Sequence, residues 1–202
     1  MIEINILAGP VCSGKGELVK KLQGIVISSS DLITADKARM SPEEKASVES
    51  TIGSGNLYDD EKMIFLVENR LKEVERNSRV IMDGFPRTVP QARYIIESLI
   101  KTGRFTLGNI MSLEVSFETC KARLEDRMEK ERNGLIPTRS DSNFAVFKKR
   151  FEQHQQVWPP VMKYFTEVAK VKVDLIDAEK DRAGVYLQAE KILRRRSFVG
   201  IV

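Results

Sequence analysis

Residues 9–18 read GPVCSGKGEL. The pattern G-x-x-x-x-G-K-[ST] describes a loop that cradles phosphates between a strand and a helix, using backbone N–H groups and a lysine. Gly9, Gly14 and Lys15 keep that spacing. Gly16 stands where a hydroxyl is expected, and the acid Glu17 follows it. The flanks fit: residues 2–8 are an apolar, β-rich run, and residues 17–23 have a helical pattern. A glycine-rich turn from strand to helix would need no phosphate. The strand–loop–helix context favours the phosphate site, with Lys15 as its point charge. An α/β fold follows, with the loop beyond the carboxyl end of the first strand.

Four further short apolar runs, at residues 25–28, 79–82, 109–117 and 171–176, alternate with helical patterns. Near-continuous apolar runs predict buried parallel strands joined by right-handed crossovers. The helix ends are marked. Ser41-Pro42-Glu43-Glu44 combines a capping serine, a proline at the first helical position and a capping-box glutamate. Asp59-Asp60 opens a helix with Ile64, Val67 and Leu71 on one face, and Gly103 and Gly134 follow helices at 91–101 and 118–132. Two stretches interrupt the alternation: residues 31–72, with two or three helices, and residues 128–142, a short polar connection. Both would overhang the ligand end of the sheet.

The chain has 202 residues, 42% hydrophobic and 31% charged, which predicts one soluble domain. A net charge of +4 suits an anionic small ligand as well as nucleic acid. No aromatic-rich single-strand motif accompanies it, so no nucleic-acid partner is expected. Arg194-Arg195-Arg196 reads as a helix end paired with its dipole. Cys12 and Cys120 form no C-x-x-C pair, so neither a zinc site nor a disulfide framework is expected. The amino-terminal segment has no basic leader, and no run approaches membrane-spanning length, so a cytoplasmic protein without a membrane partner is expected. The one histidine, His154, reads as structural or exposed.

Residues 83–92, DGFPRTVPQA, directly follow the third strand. Asp83 at a strand end could orient magnesium or its water, and Arg87 projects from a turn fixed by Pro86. A proline-rich turn with a surface arginine is an equally plain reading. Arg123 and Arg127 lie four apart on one helix face, Arg139 lies in the polar connection and Arg150 on the next helix. Converging on a cleft, four arginines could hold the charge of a transferring phosphoryl group. Any one of them alone would read as a solvated helix face, with Glu125, Asp126, Glu129 and Glu131 among them.

Together these motifs resemble the adenylate kinase family, the nucleoside monophosphate kinases, over nearly the whole chain. DGFPRTVPQA is similar to its signature, and the loop to its G-x-P-G-x-G-K-G-T, which places glycine after the lysine. Residues 27–32, ISSSDL, resemble its S-T-G-D-L segment. Residues 55–61, GNLYDDE, resemble the end of its monophosphate-binding region, and residues 138–143, TRSDSN, its lid sequence G-R-x-D-D-N.

The resemblance implies a P-loop kinase fold: a five-stranded parallel sheet flanked by helices. It implies a single domain over 1–202, with a monophosphate-binding insertion at 31–60 and a short lid at 128–142. It implies reversible phosphoryl transfer from Mg·ATP to a nucleoside monophosphate, AMP first, by a monomer. The implied donor site is Gly9, Cys12, Ser13, Gly14, Lys15, Gly16, Glu17, Arg123 and Arg127. The implied acceptor site is Ser29, Asp31, Leu57, Gly84, Arg87, Gln91, Arg139 and Arg150. Lys15, Arg87, Arg123, Arg127, Arg139 and Arg150 would serve transfer, and Asp83 would orient magnesium through water.

The departures bear on activity. Cys12 and Val11 replace a glycine and a proline of the loop, and Glu17 replaces a phosphate-contacting threonine. Ser30 replaces the glycine of S-T-G-D. Thr34 stands where an acceptor arginine is usual, with Lys37 or Arg39 as substitutes. In the lid, Thr138 and Ser142 replace a glycine and an aspartate. Two other expectations stay open: a nucleotide-binding relative with little catalysis, and a kinase for another monophosphate such as CMP or UMP.

Overall fold

The computed structural model describes residues 1–138 and 142–195. Five parallel strands form one sheet in the order β2-β3-β1-β4-β5. They are β1 Ile2–Ala8, β2 Ile25–Ser28, β3 Arg79–Asp83, β4 Phe105–Glu114 and β5 Val173–Asp177. The side chains of β1 alternate between the two faces, as strand geometry requires. Ile2, Ile4, Ile6 and Ala8 join a core with helices α4 (Asp60–Lys72), α5 (Val89–Arg93) and α7 (Phe144–Lys163). Leu7 joins a second core with α1 (Lys15–Val19) and α8 (Arg182–Leu193). Both faces of the sheet are therefore covered, and this is why its strands read as near-continuous apolar runs. Among the described residues no helix is long and apolar enough to cross a membrane.

Three helices fill the 31–72 stretch: α2 Ser29–Lys37, α3 Pro42–Gly53 and α4. α3 opens with the expected capping box, Glu44 N donating to Ser41 Oγ and Ser41 N donating to Glu44 Oε2 at 2.8 Å. α5 continues through a π turn, Tyr94–Leu99, and a short 3-10 turn to Gly103. α6, Phe117–Arg132, takes in the first five residues of the 128–142 connection.

Several boundaries differ from the sequence-based expectation. β4 spans Phe105–Glu114, rather than 109–117. Gly108, just before the expected start, lies within the strand. The β1/β4 register shifts between Ile4 and Ile6, and the side chain of Asn5 enters the irregularity. Its Oδ1 accepts from Asn109 N at 2.9 Å and from Asn109 Nδ2 at 3.0 Å. A Cβ on residue 108 would lie 2.6 Å from that oxygen, so only glycine fits without a shift. β4 ends early because Ser116 caps α6 and turns Phe117 into the helix. β5 starts at Val173 because Val171 N still closes the preceding helix, donating to Phe165 O at 2.8 Å. α1 stops at Val19, and the chain turns through Gly24, at φ +148°, against Arg79 O.

Candidate active site

In the β1–β3 register Leu7 pairs with Asp83. The loop after β1 and the turn after β3 therefore lie side by side at the carboxyl end of the sheet. Gly9 is at φ +151°, and a Cβ there would meet Leu113 Cβ at 2.9 Å and Ser13 Oγ at 3.0 Å. Gly14 caps α1 at φ +100°. Gly16 has open space around it. Cys12 is the departure with a backbone consequence, since it holds φ +59°, a left-handed conformation that glycine adopts more easily. Its side chain packs on a cluster of Cys120, Leu124, Phe147 and Phe151.

The Lys15 ammonium folds back over the loop, donating to Gly9 O at 2.6 Å, Pro10 O at 2.8 Å and Ser13 Oγ at 3.3 Å. Burial pulls it down to about 8, with Asp83 opposing and Arg87 adding to the shift. Glu17 does not face this cluster of positive charge. It accepts from Lys20 Nζ at 2.8 Å, and Arg182 lies 3.7 Å away.

Asp83 ends β3, and burial raises its carboxyl above the usual range against the pull of Lys15 and Arg87. The Arg87 guanidinium folds over Gly84, donating from Nε to Gly84 O at 2.8 Å and from Nη2 to Ser29 Oγ at 3.3 Å. Gly84 supplies the space, because a Cβ there would lie 2.8 Å from Arg87 Nη2 and 2.7 Å from Ser29 Oγ. Asp31, at the start of α2, adds to the rise of the Asp83 carboxyl. Gln91 is buried and engaged at both ends of its amide. Oε1 accepts from Arg87 N at 2.7 Å, and Nε2 donates to Asp60 Oδ1 at 2.7 Å. Thr88 Oγ1 donates to the same carboxylate at 2.9 Å.

The arginines divide. Arg123 braces the loop, donating to Ser13 O at 2.9 Å and to Ala178 O, beyond β5, at 2.7 Å. Arg150 reaches the three-helix stretch between β2 and β3, donating to Ile52 O at 2.9 Å at the end of α3, and its charge acts on Arg87. Arg127 turns toward the buried Glu131, Nε lying 3.8 Å from Oε1, and Glu131 also accepts from Ser142 Oγ at 2.7 Å. Arg139 lies outside the described residues.

The structure thus brings together Lys15, Asp83, Arg87 and Arg150, with Ser13, Ser29 and Gly84 around them. Leu57 lies half-buried between α3 and α4. Lys37 pairs with Glu49 at 2.6 Å, which ties α2 to α3. Thr34 Oγ1 donates to Ser30 O within its own helix, and Ser30 Oγ meets Ser28 Oγ at 2.8 Å.

Sequence reasoning missed three residues here. Asp60 orients Gln91. Glu179 accepts from Ser116 N and Thr119 Oγ1, fastening the loop after β5 to α6. His154 sits within reach of the charges of Lys15 and Arg87. Asp60 had a signal in the GNLYDDE segment and His154 in its four-residue spacing from Arg150, while Glu179 had none.

A parallel sheet with a lysine-bearing glycine loop after its central strand, and arginines arriving from separate elements, defines a P-loop phosphotransferase. The family model described as "Adenylate kinase" matches residues 7–170. Proteins named adenylate kinase are similar along most of the chain. That of Nitrobacter winogradskyi is 29% identical over 195 residues, covering 94% of this chain and 92% of its own. That of Caulobacter sp. strain K31 is 33% identical, covering 82% and 86%, and that of Maricaulis maris 32%, covering 83% and 87%. The chain belongs to the adenylate kinase family, whose members are nucleoside monophosphate kinases.

Proposed function

We propose that the protein transfers a phosphoryl group reversibly from Mg·ATP to a nucleoside monophosphate, with AMP the first acceptor. The observation that carries this is the gathering of Lys15, Asp83, Arg87 and Arg150 at the carboxyl end of the sheet. A phosphate monoester is already largely dianionic at neutral pH, its second pKa being about 6, so its oxygen attacks without a strong base. Alignment and charge stabilisation then carry the rate. In this reading Lys15 and the loop amides hold the donor phosphates, and Arg123 keeps the loop against the segment after β5. Arg87 grips the acceptor phosphate, and Arg150, with Arg127 and Arg139, neutralises the group in flight. Phosphate would draw Lys15 from the carbonyls of Gly9 and Pro10.

Magnesium fits the residues present. Among the described residues no cluster of three or more carboxylate, histidine or cysteine ligands forms a cage. One carboxylate, Asp83, with Asp31 behind it, suits an ion that keeps its waters and binds mainly through nucleotide phosphates. The ion would supply charge neutralisation along the polyphosphate.

The engagement of Gln91 by Asp60 favours a second reading in which the acceptor base is retuned, toward CMP or UMP. The test is ADP formation from Mg·ATP with AMP, CMP, UMP, GMP and dAMP offered separately, beside a control without acceptor. Turnover with AMP above the others supports the first reading, and turnover with a pyrimidine the second. No transfer, from folded protein that binds ATP, sinks both and leaves a nucleotide-binding relative.

A further inference from the structure

We propose that His154 is a phosphate-contacting residue of the cleft, which takes up a proton when donor and acceptor phosphates fill it and then donates a hydrogen bond to a phosphoryl oxygen. The inference rests on the reading of the cleft as a phosphoryl-transfer site.

Arg150, His154 and Trp158 recur every fourth residue of α7 and so stand one above another on one helix face. Both ends of that face are anchored. Arg150 donates to Ile52 O at 2.9 Å, and the buried Trp158 donates from Nε1 to Ser112 Oγ at 2.9 Å near the carboxyl end of β4. Trp158 packs in the same core as Ala8 of β1, Met82 of β3 and Phe85 of the turn after it. The middle of the face therefore lies over the carboxyl ends of the central strands. There the His154 ring stacks on the Trp158 indole, centroids 6.1 Å apart and planes 13° from parallel, which fixes the ring plane.

The charges that act on the imidazole come from the other two walls: Lys15 of the phosphate loop and Arg87 of the turn after β3. Asp83 lies beside both cations and partly offsets them, and Arg150 stands one turn away on the same helix. Burial first, then these two cations, push the imidazole down to about 3, so at neutral pH it carries no charge. Phosphates held between Lys15 and Arg87 reverse the sign of that field. The ring then binds a proton from solvent, and no other bond changes. Because both the donor-side lysine and the acceptor-side arginine act on it, an occupant spanning both grips is the strongest trigger.

The chain has one histidine, so its imidazole C2–H resonance identifies itself. The experiment follows that proton signal across about pH 5 to 8, with and without a bis-adenosine compound bridged by five phosphates. Calorimetry on the same samples measures binding. In the free protein the signal should stay in place. In the complex it should move with a midpoint inside the window. H154Q should bind the ligand about tenfold more weakly at the acid end, and with little deficit at the alkaline end. Binding without movement of the signal overturns the inference and leaves the proposed function standing, whereas no binding overturns both. Should H154Q fold poorly, the wild-type titration alone decides between these outcomes.

Discussion

At position 17 the loop carries a carboxylate beside the phosphate site, and the structure turns it aside. The side chain is 52% exposed and held by Lys20 and Arg182, and the hydrogen bond from Lys20 keeps its carboxyl below the usual range. Glu17→Thr should leave the ATP dissociation constant within about twofold by calorimetry, because a solvated ion pair contributes about 0–1 kcal/mol. A tenfold tightening would show that the carboxylate reaches the phosphates. The sequence left this direction open because Arg182 belongs to a helix far along the chain. Lys15 titrates at about 8 instead of 10.5 because its site is desolvated. Between those values the unfolded chain binds more protons, so this lysine opposes folding at neutral pH, and the opposition fades as pH rises above about 8. Bound phosphate reverses the preference by keeping the ammonium charged. ATP binding should therefore weaken by up to about tenfold per pH unit above pH 8, with little slope below. Lys15→Met should bind more weakly and lose the slope, and an unchanged slope would assign it to another group.

At the scale of elements, α3 buries no residue, so packing does not hold it. It is fixed at its ends and along one edge: the capping box at Ser41, the Lys37–Glu49 pair, and Arg150 on Ile52 O. This helix was legible in the sequence because its stabilising interactions are local, four consecutive residues supplying the cap. Its docking on α7 was not, since Arg150 and Ile52 meet only in the folded chain. Ser41→Ala should cost about 1 kcal/mol, confined to this element. Amide exchange over residues 42–53 should then quicken about fivefold, with the melting temperature nearly unchanged. A fall in global melting temperature would mean that α3 unfolds with the core. The brace at the glycine loop, Arg123 between Ser13 O and Ala178 O, spans three elements. The spacing of Arg123 and Arg127 put both on one helix face, and the structure gives them different partners.

The whole molecule divides into a doubly covered sheet, expected to unfold only globally, and a site assembled from the loops at its carboxyl end. Strand identity was legible because both faces of the sheet are covered, leaving mainly apolar runs at β1, β2 and β3, with Glu3 and Asn5 the polar interruptions of β1. The length of β4 was not. Gly108 has the chemistry of a turn residue but serves to admit the side chain of Asn5, which no local pattern announces. That site also tests the division between sheet and cleft. Asn5 is fully buried and clamped between Glu3 and Asn109, so its amide cannot swing away from a new methyl group. Gly108→Ala must displace either the amide or the β1–β4 register, at about 1–3 kcal/mol. Because β1 and β4 pair at the centre of the sheet, the cost falls on the global transition. For a chain of this size about 2 kcal/mol lowers the melting temperature by roughly 4–8 °C. The substrate KM values should hold within about twofold, since Lys15, Asp83 and Arg87 stand at the opposite ends of the strands. A melting temperature that stays put would show that β4 absorbs the methyl by local slippage. A rise in KM at unchanged stability would show that the slippage runs through β1 into the phosphate loop.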